Sequence, residues 1–341
     1  MMKKVITFGE LLLRLAPKEY LRFSQASSFD LVYGGGESNV AVSLANYGVS
    51  VDFVTRLPKN YIGECAMMEM RKHGVGVDKI VWGGERLGIY YLEVGSGARG
   101  SNVVYDRANS SMATIKRGTI NWKEVLQDAT WFHWSGITPA ISESAAQECL
   151  EAIKAAHELR ITISTDLNYR SKLWQYGKTP KDIMPELLQY SNIILGDLDT
   201  AFFMLGKNKV HPDYQDEKSL PVLYDALFQS CPNLITAATT LRYSIGASHQ
   251  QIGGVLYDGK SIFTADVKNV TPVVDRVGSG DAFMAGLIYG LIHNVDDQQR
   301  ALNLAVAACC LKHTIKGDAN LVTLEELEKL IGGDASGSIV R

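Results

Sequence analysis

Short runs of β-branched and aromatic residues recur along this chain, separated by longer stretches with helical spacing of apolar positions. Val5–Phe8 reads as a buried strand, and so do Val51–Thr55, Val77–Val81, Thr130–Trp134, Ile161–Asp166, Ser191–Leu195 and Leu234–Ala238. Helices are predicted over Gly63–His73, Ser142–Leu159, Ile183–Tyr190, Asp199–Leu205 and Leu220–Gln229. Another spans Val40–Tyr47, with Ser38 or Asn39 as cap and Gly48 as stop. Ile262–Pro272 reads as a strand and turn, and Ala282–Ile292 and Ala301–Leu311 as buried helices. This alternation predicts an α/β fold: a three-layer α/β/α sandwich around a mostly parallel sheet, with its ligand site beyond the carboxyl ends of the strands. One segment departs from the pattern. Leu87–Val94 and Asn102–Arg107 are both strand-like and join through Gly95–Gly100, which makes a hairpin. With Leu11–Leu15 and Phe29–Tyr33 it predicts a small separate sheet, a lid drawn from about 11–33 and 87–108. Residues 1–331 read as a single domain, and the glycine- and serine-rich 332–341 as a flexible tail.

Composition adds constraints. With 341 residues the chain can bury a large core, and 46% hydrophobic with 21% charged content is ordinary for a soluble globular protein. A net charge of −3 offers nothing to attract nucleic acid or an anionic membrane. Five cysteines without framework spacing predict reduced thiols in a cytoplasm. The first apolar run is too short for a signal peptide, and no stretch approaches the ~20 apolar residues of a membrane span.

The stretch Asp275–Phe283 carries the most chemistry. Gly278, Ser279 and Gly280 open the helix Ala282–Ile292, leaving bare N–H groups at the positive end of its dipole, where phosphate binds well. Asp281 on the first turn would stand beside that anion, suited to take a proton from a hydroxyl under phosphorylation. The same residues would also make an ordinary glycine turn with Asp281 as cap. Gly34, Gly35 and Gly36 precede a helix and allow close approach of a ligand, with Asn39 offering both donor and acceptor; a plain strand-to-helix loop is the competing account. Tyr105 and Arg107 share a strand face opposite Tyr90, either as a solvated surface or as contacts for a hydroxylated, anionic ligand. Asp166, Asn168 and Arg170 follow a strand and can converge there, Arg170 being a second candidate to clamp a carboxylate; a charged surface turn would look the same. Gly95–Gly100 matches G-x-G-x-x-G, but a strand follows it, so it is no dinucleotide fingerprint. There is no Walker motif, no nucleophile elbow, and no histidine or cysteine at zinc spacing.

Together these stretches resemble the ribokinase-like (PfkB) carbohydrate kinases over nearly the whole chain. The resemblance rests on Gly34–Asn39 with the spaced Gly48 and Gly63, and on Asp275 through Asp281 ending Gly-Ser-Gly-Asp. It implies a Rossmann-like sandwich with a small β-sheet lid. Tyr105-Asp106-Arg107, Asp166–Trp174, Lys312–Asp318 and Arg276 are similar to the 2-keto-3-deoxygluconate kinase branch. That implies ATP-dependent phosphorylation of the C6 hydroxyl of this sugar acid, with Asp281 as base and the Gly278-Ser279-Gly280 amides as anion hole. It implies further that Gly34, Gly35, Asn39, Tyr90, Tyr105, Arg107 and Arg170 hold the sugar acid. Asn168 would lie near the γ-phosphate, and Thr239, Thr240, Ser244 and Asn303 would contact the nucleotide. Mg²⁺ would bridge the phosphates. Two segments depart from the family pattern. The N-x-x-E segment reads Gly196-Asp197-Leu198-Asp199, which puts a metal role for Asp199 in doubt, and Thr240–Ser244 lacks a usual glycine pair. A neutral-sugar kinase and a non-catalytic sugar- or nucleotide-binding protein on this scaffold are the alternatives. A homodimer through the lid is expected if the outer face of the lid is apolar.

Overall fold

Period-two alternation along the strands sorts their side chains onto two faces, and each face collects its own core. Val5, Phe53, Trp131, Ile193, Leu195 and Leu256 pack with the helices Gly36–Asn46, Tyr61–Lys72, Ser279–His293 and Gln298–Lys312. Their neighbours Ile6, Val54, Phe132, Ile194 and Val255 pack on the other side with Glu143–Glu158, Pro180–Leu188, Leu198–Met204 and Ser219–Ser230. The result is a three-layer α/β/α sandwich. The computed structural model describes residues 3–216 and 218–333, so all of the expected tail except Gly332 and Gly333 lies outside the described residues.

Eight strands make the central sheet, in the order Ile262–Val270, His249–Tyr257, Thr236–Gly246, Ile193–Leu195, Thr162–Asp166, Trp131–Ser135, Lys4–Phe8, Ser50–Val54. Every pairing from Thr236–Gly246 onward is parallel, and the two pairings made by His249–Tyr257 are antiparallel. A second, four-stranded sheet takes the order Phe29–Gly34, Leu12–Pro17, Gly88–Glu93, Asn102–Asp106, which is the lid expected from the sequence. Among the described residues, no helix is long and apolar enough to cross a membrane.

Several elements differ from expectation. Only Val81–Trp82 of the run from Val77 is a strand, paired with Arg56–Leu57 in a sheet of its own. The strand expected over Leu234–Ala238 begins at Thr236 and continues to Gly246, because the antiparallel partner His249–Tyr257 extends its ladder. That partner was not anticipated, since adjacent Gly253 and Gly254 interrupt its hydrophobic pattern. The helix after the glycine triplet starts at Gly36 with Gly35 as cap, so neither Ser38 nor Asn39 caps it. Ser38 Oγ instead donates to the Gly35 carbonyl at 2.9 Å. A terminal helix, Leu324–Ile331, follows a Thr323–Glu326 capping box.

The tightest helix pair is Ser279–His293 against Gln298–Lys312, where Gly286 and Gly290 lie one turn apart. A Cβ on Gly286 would come within 2.7 Å of the Leu304 carbonyl oxygen, and one on Gly290 would collide with Ala301 Cα. Gly290→Val is therefore expected to lower stability by about 2–3 kcal/mol in denaturant titration. An unchanged midpoint would mean that the helices can separate freely.

Candidate active site

The loop Asp275–Gly278 ends where Gly278 adopts φ +79°, and a Cβ there would collide with the Asp318 carbonyl oxygen. Only glycine suits both demands. The first full helical bond is Ala282 N–H to Gly278 O at 2.9 Å, so the amides of Gly280 and Asp281 ahead of it are the open donors of the helix. Asp275 holds the loop from below. One of its oxygens accepts from Val277 N at 3.0 Å, and the other from Gly317 N at 3.1 Å.

These residues line a cleft of about 800 Å³ between the lid and the carboxyl ends of the strands. Asp281 lies within it, and its Oδ2 accepts from Asn39 Nδ2 at 2.7 Å. Burial pushes the Asp281 carboxyl up to about 8; the charges of Asp166 and Glu37 add to the rise, while Asn39 and Arg170 oppose it. Burial likewise raises Asp166 to about 6, against the pull of Arg170 and the Asn168 N–H. A carboxyl titrating close to neutrality is well matched to removing a proton from an alcohol.

The cleft also brings together Gly35, Tyr90, Tyr105, Arg107, Asn168, Arg170 and Thr240. Gly36, the third glycine of the triplet, faces Asn168 and Asp281 at ordinary van der Waals distance. The two arginines differ. Arg107 is buried, and its Nε donates to Glu10 Oε2 at 2.8 Å, with Nη2 on the same oxygen. Arg170 is exposed and makes only a 3.1 Å bond to the Tyr169 carbonyl. The Tyr90 hydroxyl donates to Asp318.

Five expected residues lie off the cleft lining. Gly34 ends a lid strand, packed so closely on Asp318 that a side chain would collide with it. Thr239 is buried, with its hydroxyl bonded to Gly196 O at 2.8 Å and to the Tyr224 hydroxyl at 2.9 Å. Ser244 sits on the exposed end of its strand and donates to Gln250 Oε1 at 2.7 Å. Asn303 lines a separate cavity of about 50 Å³ and accepts from Gln299 at 3.0 Å. Asp199 accepts from the N–H groups of Val210 and His211 at 2.9 and 2.8 Å and pairs with the His211 ring, which makes it a loop anchor.

No group of three or more metal-ligating side chains occurs among the described residues. Asp197 lines the cleft but caps the helix Leu198–Met204, with both oxygens bonded to Thr200. Asp166 uses one oxygen for Asn168 N–H, and its other lies 4.0 Å from where a Gly280 Cβ would stand. One such carboxylate fits Mg²⁺, which keeps most of its water and takes phosphate oxygens for the remainder.

The sequence assigns no individual role to Glu10, Arg14, Arg242 or Asp318, although the last two fall inside the segments Thr240–Ser244 and Lys312–Asp318. Arg14 had a visible signal, a charge enclosed by leucines in an apolar strand. Arg242 had none, because its place in the cleft depends on the unanticipated strand beside it.

The family model for pfkB family carbohydrate kinases matches residues 2–323. A 2-dehydro-3-deoxygalactonokinase from Haloferax volcanii is 32% identical over 98% of this chain and 99% of its own length. A 2-dehydro-3-deoxygluconokinase from Thermoproteus tenax is 26% identical over 97% of this chain and 94% of its own. Among solved structures, 2-dehydro-3-deoxygluconokinase from Thermotoga maritima superposes with a TM-score of 0.91 at 38% identity, covering 98% of this chain and 99% of that one. With fold, loop and cleft in agreement, the chain belongs to the pfkB family of carbohydrate kinases.

Proposed function

We propose that this protein transfers the γ-phosphoryl group of ATP to the C6 hydroxyl of 2-keto-3-deoxygluconate, with residues 1–331 acting as one catalytic unit in a reducing cytoplasm. The observation that carries this reading is a single cleft lined by Asp281, the Gly280 amide, Arg107 and Arg170. Asp281 takes the proton of the attacking hydroxyl. Asn39, bonded to the far oxygen, keeps the carboxyl aimed. The helix amides receive the moving phosphoryl, and because that transition state is loose, their positioning matters more than the basicity of the carboxylate. When bound, Mg²⁺ supplies charge neutralisation across the β- and γ-phosphates, and Asp166 is the residue that would hold it.

The acid end of the substrate falls chiefly to Arg170. Glu10 already neutralises Arg107, which leaves that guanidinium as a rigid donor rather than a free charge. A neutral sugar would give Arg170 nothing to bind. The epimer inverted at one hydroxyl is a second reading, favoured by the name of the Haloferax volcanii relative.

The lid supports a homodimer. Across its register Leu31, Leu15, Tyr91 and Val104 form one row, with Leu31 and Val104 each 52% exposed. Two such faces packed together would remove this apolar strip from water.

Kinetics, melting and sedimentation test these assignments. Coupled ADP release should occur with 2-keto-3-deoxygluconate or its epimer and be far slower with fructose or ribose; the reverse order would end the sugar-acid reading. Asp281→Asn should lower kcat by on the order of 10²-fold with KM largely kept. The same variant should be more stable than wild type. The folded-state pKa of about 8 lies above the ordinary 3.8, so the native state holds the extra proton between these values. Stability contributed by this group therefore falls as pH rises through that window. Asp281→Asn should melt about 2 °C or more above wild type at pH 8, and the gap should close below pH 4. Arg170→Ala should raise KM for the sugar acid roughly 10-fold without changing the melting point. Arg107→Ala should raise KM and also lower the melting point, because it strands the Glu10 charge. In sedimentation, the wild type should run at about twice 37.4 kDa, and Leu31→Lys should run as a monomer.

A further inference from the structure

Two guanidinium groups stand at the loop Asp275–Gly278 without an ion-pair partner among the described residues. Arg242 projects from the strand Thr236–Gly246, and its Nη2 donates to Ser279 Oγ at 2.9 Å. Arg276 lies on the loop itself, half-buried, and both residues line the cleft. Among the described residues neither has an ion-pair partner, whereas the buried Arg14 and Arg107 are paired with Asp275, Asp318 and Glu10. Burial and the charge of Arg242 together lower the Arg276 pKa, so the two cations are close enough to repel one another. Asp166, Asp197 and Asp281 line the same cleft, but among the described residues none of them pairs with either arginine. Lys312 is fully buried nearby, and His313 is held neutral, lowered to about 4 by burial and by the positive charges of Arg242, Lys312 and Arg276. Asp275, the nearest carboxylate in sequence, is already committed to Arg14.

Like charges gathered at the positive end of a helix raise the energy of the empty site, and an anion carrying several charges removes that cost. We propose that Arg242 and Arg276 form a two-guanidinium clamp for the terminal phosphoryl group of the nucleotide triphosphate. The proposal rests on the kinase reading above. Arg242 is tied to the hydroxyl of Ser279, so it sits beside whatever the Gly280 and Asp281 amides hold. Arg276 supplies the second charge from the same loop. Planar guanidinium forks match the equatorial oxygens on which charge collects as the phosphoryl group moves. Asp199 is turned away to anchor its own loop, so the clamp would bring positive charge to the phosphates directly instead of through a carboxylate that recruits a cation.

The test uses the full-length protein and the variants Arg242→Gln, Arg276→Gln and Arg276→Lys. Calorimetric titration with ATP and with ADP reads the clamp directly. Each glutamine variant should lose about 10-fold or more in ATP affinity and clearly less in ADP affinity. Steady-state kinetics should show kcat/KM for ATP down by on the order of 10²-fold, with KM for the sugar acid within about 2-fold of wild type. Arg276→Lys, which keeps the charge but loses the fork, should recover ATP affinity more than kcat. Melting points should match wild type or exceed it, since a repulsion has been relieved. Glutamine variants with wild-type ATP-to-ADP preference and wild-type kcat would overturn the clamp, as would a defect confined to the sugar KM. A wild type that binds ATP, loses that preference in the variants, yet phosphorylates no sugar would sink the kinase reading and leave the clamp standing.

Discussion

Arg14 is the tie on which the rest of the site depends. It sits on the lid strand Leu12–Pro17 with 2% of its surface exposed, bonded to Asp318 at 2.7 Å and to Asp275 at 2.8 Å. Burial works against its charge, but the carboxylates of Asp318 and Asp275 outweigh burial, so its pKa is raised. Lys312, fully buried and bonded to the Ile315 carbonyl at 3.0 Å, brings a second cation to the same two aspartates. Two positive and two negative groups thus share one buried cluster. Such a cluster adds little net stability over apolar packing, yet removing one member leaves an uncompensated buried charge costing about 3–5 kcal/mol. What it fixes is geometry. Asp275 also shapes the phosphate loop, and Asp318 also takes the hydroxyl of Tyr90 on the neighbouring lid strand. The lid sheet and the loop ahead of the helix Ser279–His293 are thereby built onto one ionic core.

Above that core the site is deliberately unbalanced. Asp281 and Asp166 are both driven upward by burial, while Arg170, Arg242 and Arg276 line the cleft without an ion-pair partner among the described residues. A cleft with protonatable acids on one side and unpaired guanidiniums on the other holds charge poorly when empty. It is suited to a ligand that arrives strongly negative and gives up a proton in reaction. The neutral cluster below tolerates this imbalance because Asp275 and Asp318 have no charge left to lend it. Asp275 thus serves the buried ion cluster while Asp281, a few residues on and already in the helix, faces the cleft.

Much of this was legible in the sequence, for identifiable reasons. Strand alternation fixed the faces of Val5, Ile6, Ile193 and Ile194, and glycine placement marked the loop at Gly278 and the triplet at Gly34–Gly36. These are local signals. The triplet shows where local reading ends, because each glycine serves a separate purpose: Gly34 yields to Asp318, Gly35 to the Glu10 carbonyl, and only Gly36 opens toward Asp281. Pairings across the chain left no local trace. Glu10 meets Arg107 across 97 positions, and Arg14 meets Asp318 across 304. Arg107 looked like a free clamp because nothing near it in sequence hints at Glu10. Thr239 looked like a nucleotide contact because a residue past a strand end faces the ligand, and here the strand does not end until Gly246.

The lid shows how one local rule can support two unrelated tasks. Register places Val32, Arg14, Tyr90 and Tyr105 in one row, and Leu31, Leu15, Tyr91 and Val104 in the next. Successive residues point to opposite faces, so the first row meets the cleft and the ionic core while the second meets solvent. A slip of one residue would send Arg14 outward and a leucine onto Asp275 and Asp318. The desolvated carboxylates would then have no partner, a cost far above that of exposing one leucine. The buried arginine therefore does more than join lid to loop, since it also sets the register that keeps Tyr90 and Tyr105 turned toward the cleft.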